Sequence, residues 1–198
     1  MNKKRVLIIA IAAGSLLVGA AIGAVLNYSE DQFENQALET LQSTEGRDNH
    51  HAVGENIMEN DFTEVMNANA DFNDIIRNNE VTVVNFFASW CDPCKRETPA
   101  LNDYHLDNLD EPIDIIGVNI SDSTTNRDAF LTEYEVGYPI FEFTDEDQAL
   151  DDYKIQLMPT TFFVDGDGEI IRAYIGEVSP ELVTNYINKE MSMGIKLN

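Results

Sequence analysis

The chain has 198 residues, with 36 Asp and Glu against 12 Lys and Arg and a formal charge of −24. That length holds one domain with a real apolar core. A surface so acidic repels phosphate backbones and anionic lipid headgroups, which argues against nucleic-acid binding and peripheral membrane attachment; as a solvated coat it says little about chemistry.

After Lys3, Lys4 and Arg5, residues 6–26 carry no charge and consist of Val, Leu, Ile, Ala and Gly with one Ser. At about 1.5 Å per residue this run crosses a ~30 Å hydrocarbon core as one helix. Basic residues precede it and Glu30, Asp31 and Glu34 follow it, so the N-terminus is expected inside and the rest of the chain outside the cytoplasm. Residues 1–26 thus read as an uncleaved transmembrane anchor of a single-pass cell-membrane protein. A cleaved signal peptide ending near Ala21-Ile22-Gly23 is the alternative, and it exports the chain equally.

Residues 27–60 are polar and acidic with few large apolar side chains, a composition that does not offset its ordering entropy and predicts a flexible linker. Asp31 to Leu41 could form a loose helix within it. The pair His50-His51 has no neighbouring ligand to complete a metal site. The folded domain is expected over 61–198.

In that domain the apolar period alternates between helix and strand, the pattern of an α/β fold. Phe72, Ile75 and Ile76 predict a short helix, and the run Val81 to Phe87 a buried central strand. A helix follows from Cys91-Asp92-Pro93-Cys94 to about Tyr104. Strands are expected over Ile113 to Ile120, Pro139 to Phe143, Thr161 to Val164 and Ile170 to Ile175, and helices over Thr125 to Tyr134 and Asp147 to Tyr153. Asp165-Gly166-Asp167-Gly168 favours a tight hairpin. Ser179 caps a last helix with Pro180 at its first position.

The two cysteines stand where an apolar strand meets a helix. A thiol at a helix N-terminus faces free N–H groups and the positive dipole end, which favour thiolate and nucleophilic attack on a disulfide. Cys91 is that thiol; Cys94, one turn inside, can resolve the mixed disulfide, and Pro93 restrains the turn between them. A zinc knuckle lacks ligands, since only His50, His51 and His105 are left to join. A purely structural bridge closing so short a loop contributes roughly 2 kcal/mol, a weak reason to place one here. The expectation is a redox-active disulfide with no metal and no other cofactor. Asp92 adds a negative charge beside Cys91 that would raise its pKa and favour a reductant.

The run Val83-Val84-Asn85-Phe86-Phe87-Ala88-Ser89-Trp90-Cys91-Asp92-Pro93-Cys94-Lys95-Arg96-Glu97-Thr98-Pro99 resembles the active-site signature of the thioredoxin superfamily. Its Asn before the aromatics and its Glu-x-Pro after Cys94 are similar to the ResA and TlpA group, the membrane-anchored reductases associated with cytochrome c biogenesis. Met158-Pro159-Thr160-Thr161-Phe162-Phe163-Val164-Asp165 matches where that family carries its cis-proline. The resemblance covers roughly residues 70–190. It implies a thioredoxin-like α/β fold, a central mixed sheet flanked by helices, with a helix and strand inserted near 125–143.

By the same resemblance Cys91 attacks, Cys94 resolves, and Trp90, Met158 and Pro159 line the substrate contact. Glu97, on the helical face of Cys94, would assist proton transfer at the inner thiol. Plain thioredoxins have a buried Asp where Asn85 stands, and an amide cannot take that proton, so Glu97 or water must. The implied partners are protein dithiols and disulfides, apocytochrome c among them, and a membrane-embedded thiol donor. The sequence departs from the family between Glu55 and Asn69, where the usual hairpin is hard to find. A general oxidase or isomerase of the same fold and a non-catalytic acidic binding or chaperone module are the rival readings. A peroxidase fits less well, as neither cysteine lies in a Pro-x-x-x-Thr-x-x-Cys arrangement, and Lys95 after Cys94 rules out a haem-attachment Cys-x-x-Cys-His.

Overall fold

In the computed structural model of the chain, residues 50–192 are described, with side chains as far as Lys189. The anchor expected over 1–26, the loose helix over Asp31 to Leu41 and the linker before His50 lie outside the described residues. Among the described residues no helix is long and apolar enough to cross a membrane.

Six strands form one mixed sheet: β1 (Phe62–Met66), β2 (Val81–Phe87), β3 (Ile113–Asn119), β4 (Ile140–Phe143), β5 (Thr160–Asp165) and β6 (Ile170–Ile175), in the order β1-β4-β3-β2-β5-β6. β2 runs parallel to β3 and β3 to β4, whereas β5 pairs antiparallel with β2 and with β6, and β1 antiparallel with β4. Five helices cover it: α1 (Phe72–Asn78), α2 (Asp92–Asp107), α3 (Thr124–Glu133), α4 (Glu146–Asp152) and α5 (Pro180–Ser192).

β2 lies in the middle and all seven of its residues are buried, which is why it needs apolar side chains at both parities. Val84 and Phe86 join Ile116, Val118, Phe162 and Val164 in one core layer, closed by Phe72, Ile75 and Ile76 of α1 and Ala149 of α4. Val83 and Phe87 join Ile115 and Phe163 on the other face, under Leu101 of α2, Phe130 of α3 and Val183 of α5. Each such side chain contributes about 1.5–3 kcal/mol when fully buried, so the central strand anchors both layers. The elements predicted from Phe72 onward are all present, with boundaries shifted by up to three residues, as where α2 continues past Tyr104 to Asp107.

Two departures concern the stretch before α1. Residues 50–60, expected in the linker, pack on the domain: Ala52 and Ile57 are fully buried. Gly54 N–H donates to Ile170 O, Ile170 N–H to Glu55 O and Ile57 N–H to Gly168 O, each at 2.9 Å. The physical reason is that this arm satisfies the open backbone of β6, an attachment by main chain that polar composition does not reveal. Between Glu55 and Asn69, where the family hairpin is hard to find in the sequence, the chain forms a short 3₁₀ turn (Ile57–Glu59) and the single edge strand β1. The arm also explains Gly168 in the β5–β6 turn: its φ is +89°, and a Cβ there would stand 2.5 Å from the Met58 side chain.

Candidate active site

β2 delivers the chain to the site at its C-terminal end. After Phe87 the chain turns through Ala88, Ser89 and Trp90, with Cys91 N–H donating to Ala88 O at 3.1 Å. Cys91 is the N-cap of α2 in extended conformation, and its Sγ accepts the Cys94 N–H at 3.2 Å. One of the free donors of the helix start thus points at the outer sulfur, the arrangement that stabilises a thiolate there. Pro93 occupies the first turn, where its missing N–H costs nothing. The sulfurs are joined as a disulfide. Cys91 is 4% exposed and Cys94 is not exposed at all, so of the two residues only the outer one reaches solvent.

Glu97 lies one turn beyond Cys94 on the same helical face and is 2% exposed. Its Oε1 accepts from Asn85 Nδ2 at 2.9 Å and its Oε2 from Val178 N–H at 2.8 Å. Burial pushes this carboxyl from its ordinary 4.5 up to about 7, against the pull of those two donors. Asn85 also donates to Thr161 Oγ1 at 3.0 Å, which fixes the amide between β2 and β5. Thr98 Oγ1 donates to Cys94 O at 2.7 Å, and burial drives the hydroxyl of Tyr138, beside Thr98, well above its ordinary value. A buried carboxyl with a pKa near neutrality can hold or release a proton at the working pH of most cells.

Pro159 is buried, follows a cis peptide bond, and precedes β5. Because Thr160 pairs with Phe86, the proline stands level with the turn that leads into Cys91. Its carbonyl accepts from Gly176 N–H at 2.8 Å. Met158 is half-buried and packs against both core layers. Trp90, by contrast, is 57% exposed, its Nε1 donating to Ser121 O at 2.8 Å. Leu157, two residues before the proline, and Ile175, the β6 partner of Thr160, are exposed as well. The structure therefore brings Cys91, Cys94, Glu97, Asn85, Trp90, Met158 and Pro159 to one end of the sheet.

Asp92, expected to tune Cys91, has a charged neighbour of its own. Its carboxylate accepts from Lys95 Nζ at 3.0 Å, and that hydrogen bond and charge hold the carboxyl below its ordinary value. The negative charge beside Cys91 is therefore met by a cation one turn away, a pairing already implied by the i,i+3 spacing. His105 pairs with Asp114 at 3.0 Å, and the His50 ring packs edge-on against Phe162. Among the described residues no group of three His, Cys, Asp or Glu side chains could hold a metal ion. Sequence reasoning missed Asp122, which accepts from the backbone and hydroxyl of Ser89; these residues lie far apart in the chain and no local pattern links them.

A family model described as the AhpC/TSA family matches residues 53–173. The thiol-disulfide oxidoreductase ResA of Bacillus subtilis (strain 168) is 30% identical over 105 residues, which cover 53% of this chain and 58% of that protein. The chain thus spans little more than half the length of this curated relative. Among solved structures, a thiol:disulfide interchange protein from Bacteroides sp. superposes with a TM-score of 0.55 at 20% identity, covering 74% of this chain and 93% of that one. A thiol:disulfide interchange protein of the thioredoxin family from Chlorobium tepidum TLS gives 0.53 at 17% identity, covering 65% and 92%. These likenesses establish the thioredoxin-like α/β fold, and with the family match over most of the described domain the chain belongs to the AhpC/TSA family.

Proposed function

We propose that the chain is a thiol-disulfide oxidoreductase that exchanges disulfides with protein substrates through Cys91 and Cys94. The observation that carries this reading is the disulfide at the start of α2, its outer sulfur facing a helix N–H and its inner sulfur one turn from a buried carboxyl. In the reduced state the Cys91 thiolate attacks a substrate disulfide; one substrate sulfur leaves as thiolate and the other is bonded to Cys91. Cys94 then gives its proton to Glu97 and attacks Cys91 Sγ, so that the second substrate thiolate departs and the Cys91–Cys94 disulfide forms. The substrate disulfide gains two electrons and the cysteine pair loses two. Trp90, Leu157 and Ile175 leave an exposed apolar rim around the site, which suits a polypeptide partner.

The finer reading is a reductase of disulfides in exported proteins, with apocytochrome c as the substrate and a membrane-embedded thiol donor as the source of electrons. It takes residues 1–26 as the anchor, the following segment up to the arm at His50 as the linker, and the remainder as a domain outside the cytoplasm. The charge pattern around residues 6–26 supports the anchor and export, and the resemblance of the run from Val83 to Pro99 to the ResA and TlpA group supports the substrate and the donor. Because Lys95 offsets Asp92, the direction of electron flow rests on the potential of the cysteine couple. The test is a Cys94→Ser variant in its native membrane, expected to accumulate mixed disulfides with exported proteins through Cys91. Full activity of a Cys91→Ser variant would overturn the exchange reading, and a potential near that of strong disulfide donors would overturn the reductive direction.

A further inference from the structure

The loop between β3 and α3 reaches across to the turn before Cys91 and binds two consecutive residues of it. Asp122 Oδ2 accepts from Ser89 N–H at 2.6 Å and from Asn119 Nδ2 at 3.3 Å, and Oδ1 from Ser89 Oγ at 2.8 Å and Ser123 N–H at 2.9 Å. Next to it, Ser121 O accepts from the indole of Trp90. Ser121 adopts φ of +51°, unusual for a side chain of its type, and its N–H donates to both carboxylate oxygens of Glu146, at 3.1 and 3.0 Å. Ser123 caps α3 with its own Oγ, which accepts the Asn126 N–H at 3.3 Å, so the two bonds from Asp122 to Ser89 are not needed for the cap and serve something else. The Cys91 turn does not need them either, since Cys91 is already held by Ala88 O and by the Cys94 N–H. The residue left to be held is Trp90, whose ring is mostly in solvent and would otherwise sample several rotamers.

We propose that Asp122 is a positioning residue for protein substrates: with Ser121 it clamps the Ser89–Trp90 turn so that the exposed indole is set before a partner docks. This rests on the exchange reading given above. Freezing a large side chain in advance removes an entropic cost from association, so the clamp acts on docking more than on the sulfur chemistry.

The chain contains a single tryptophan, so its fluorescence anisotropy reports Trp90 directly. In the full chain, Asp122→Ala is expected to lower that anisotropy and to raise KM for insulin disulfides by about two- to tenfold with kcat little changed. Ser89→Ala keeps the N–H contact and is expected to shift both in the same direction by less; it carries the test if the alanine variant at 122 does not fold. Asp122→Glu is expected to recover part of the loss. Anisotropy and KM equal to wild type in folded Asp122→Ala or Ser89→Ala overturn the positioning role, as does a loss confined to kcat. A wild-type chain that exchanges no disulfide overturns the exchange reading and this role with it, and is told apart because wild type and variants are then equally inactive.

Discussion

Replacing Glu97 by Gln separates what its carboxyl does for the reaction from what it does to the fold. The carboxyl is raised from 4.5 to about 7 by burial, and the difference, 7 − 4.5, corresponds to about 3–4 kcal/mol at ~1.4 kcal/mol per unit. Below pH 4.5 the group is protonated in both the folded and the unfolded chain. As pH rises toward 7 the unfolded chain has released this proton and the folded one has not, so stability falls, and the advantage present in acid is lost once pH passes about 7. Glutamine carries no charge and removes that decline. It also turns an NH₂ toward either Asn85 Nδ2 or Val178 N–H, a mismatch costing about 1–2 kcal/mol. Subtraction leaves the variant about 1–3 kcal/mol more stable than wild type at pH 8, and the mismatch alone leaves it about 1–2 kcal/mol less stable at pH 4. Urea unfolding of both oxidised proteins across this pH range measures the difference directly, and other titrating groups cancel in it. Exchange activity is expected to fall about 100-fold in the same variant, the usual loss when a general base is removed. A stability difference that stays flat from pH 4 to 8 would show that the carboxyl is not perturbed, and the proton-transfer role would lose its basis.

Gly117→Ala on β3 places a Cβ 2.6 Å from Ile140 Cδ1 and 3.0 Å from Tyr138 Cε2; the overpacking should cost about 1–3 kcal/mol in urea unfolding, and unchanged stability would refute the tight fit. Trp90→Ala removes an exposed side chain and should alter stability by no more than about 0.5 kcal/mol. It should still raise KM for a protein disulfide while sparing a small aromatic disulfide, and equal effects on both would rule out a docking role. Lys95→Met leaves Asp92 unpaired beside the outer sulfur, so the Cys91 thiolate is disfavoured and the potential of the couple should become slightly more reducing, as measured in glutathione redox buffers; a shift toward oxidising values refutes the electrostatic account.

The parts of this fold that were legible in sequence are those where one local rule decides the outcome. Val81–Phe87 matches its strand residue for residue, because a strand covered on both faces needs a continuous apolar run; Ile170–Ile175 matches as well, bounded by the Asp-Gly turn before it. Ser179, expected as a cap, receives the Leu182 N–H. What stayed hidden was decided by distant partners. β1 is a half-exposed edge strand whose Thr63 and Glu64 face outward, so it lacks both alternation and a hydrophobic run. The arm from His50 to Asn60 is attached through main-chain bonds to β6 and the turn before it, to which side-chain composition is blind. At the site, helical spacing put Glu97 in line with Cys94, yet its burial depends on Val178 and Asn85, from two other segments. The link of Asp122 to the site runs to a turn 33 positions earlier.

The segment after β6 ties these pieces together. Val178 N–H binds Glu97, Glu177 binds Arg96 at 2.8 Å, and Gly176 N–H binds the carbonyl of Pro159. Gly176 has φ of +120°, a conformation that a side chain would strongly disfavour, so glycine is what lets three consecutive residues reach three separate targets. The carboxyl proposed to take the Cys94 proton is therefore two residues of backbone from the contact that holds the proline loop. The Arg96–Glu177 pair is exposed and contributes little to stability by itself, but it lies beside the Glu97 contact and restrains the same loop against α2. Proton transfer to Glu97 weakens the charge that Asn85 Nδ2 and Val178 N–H now meet, and the second of these donors stands two residues from the contact with Pro159. The carboxyl beside the inner sulfur and the proline loop are thus joined by two hydrogen bonds and the two residues of backbone between them.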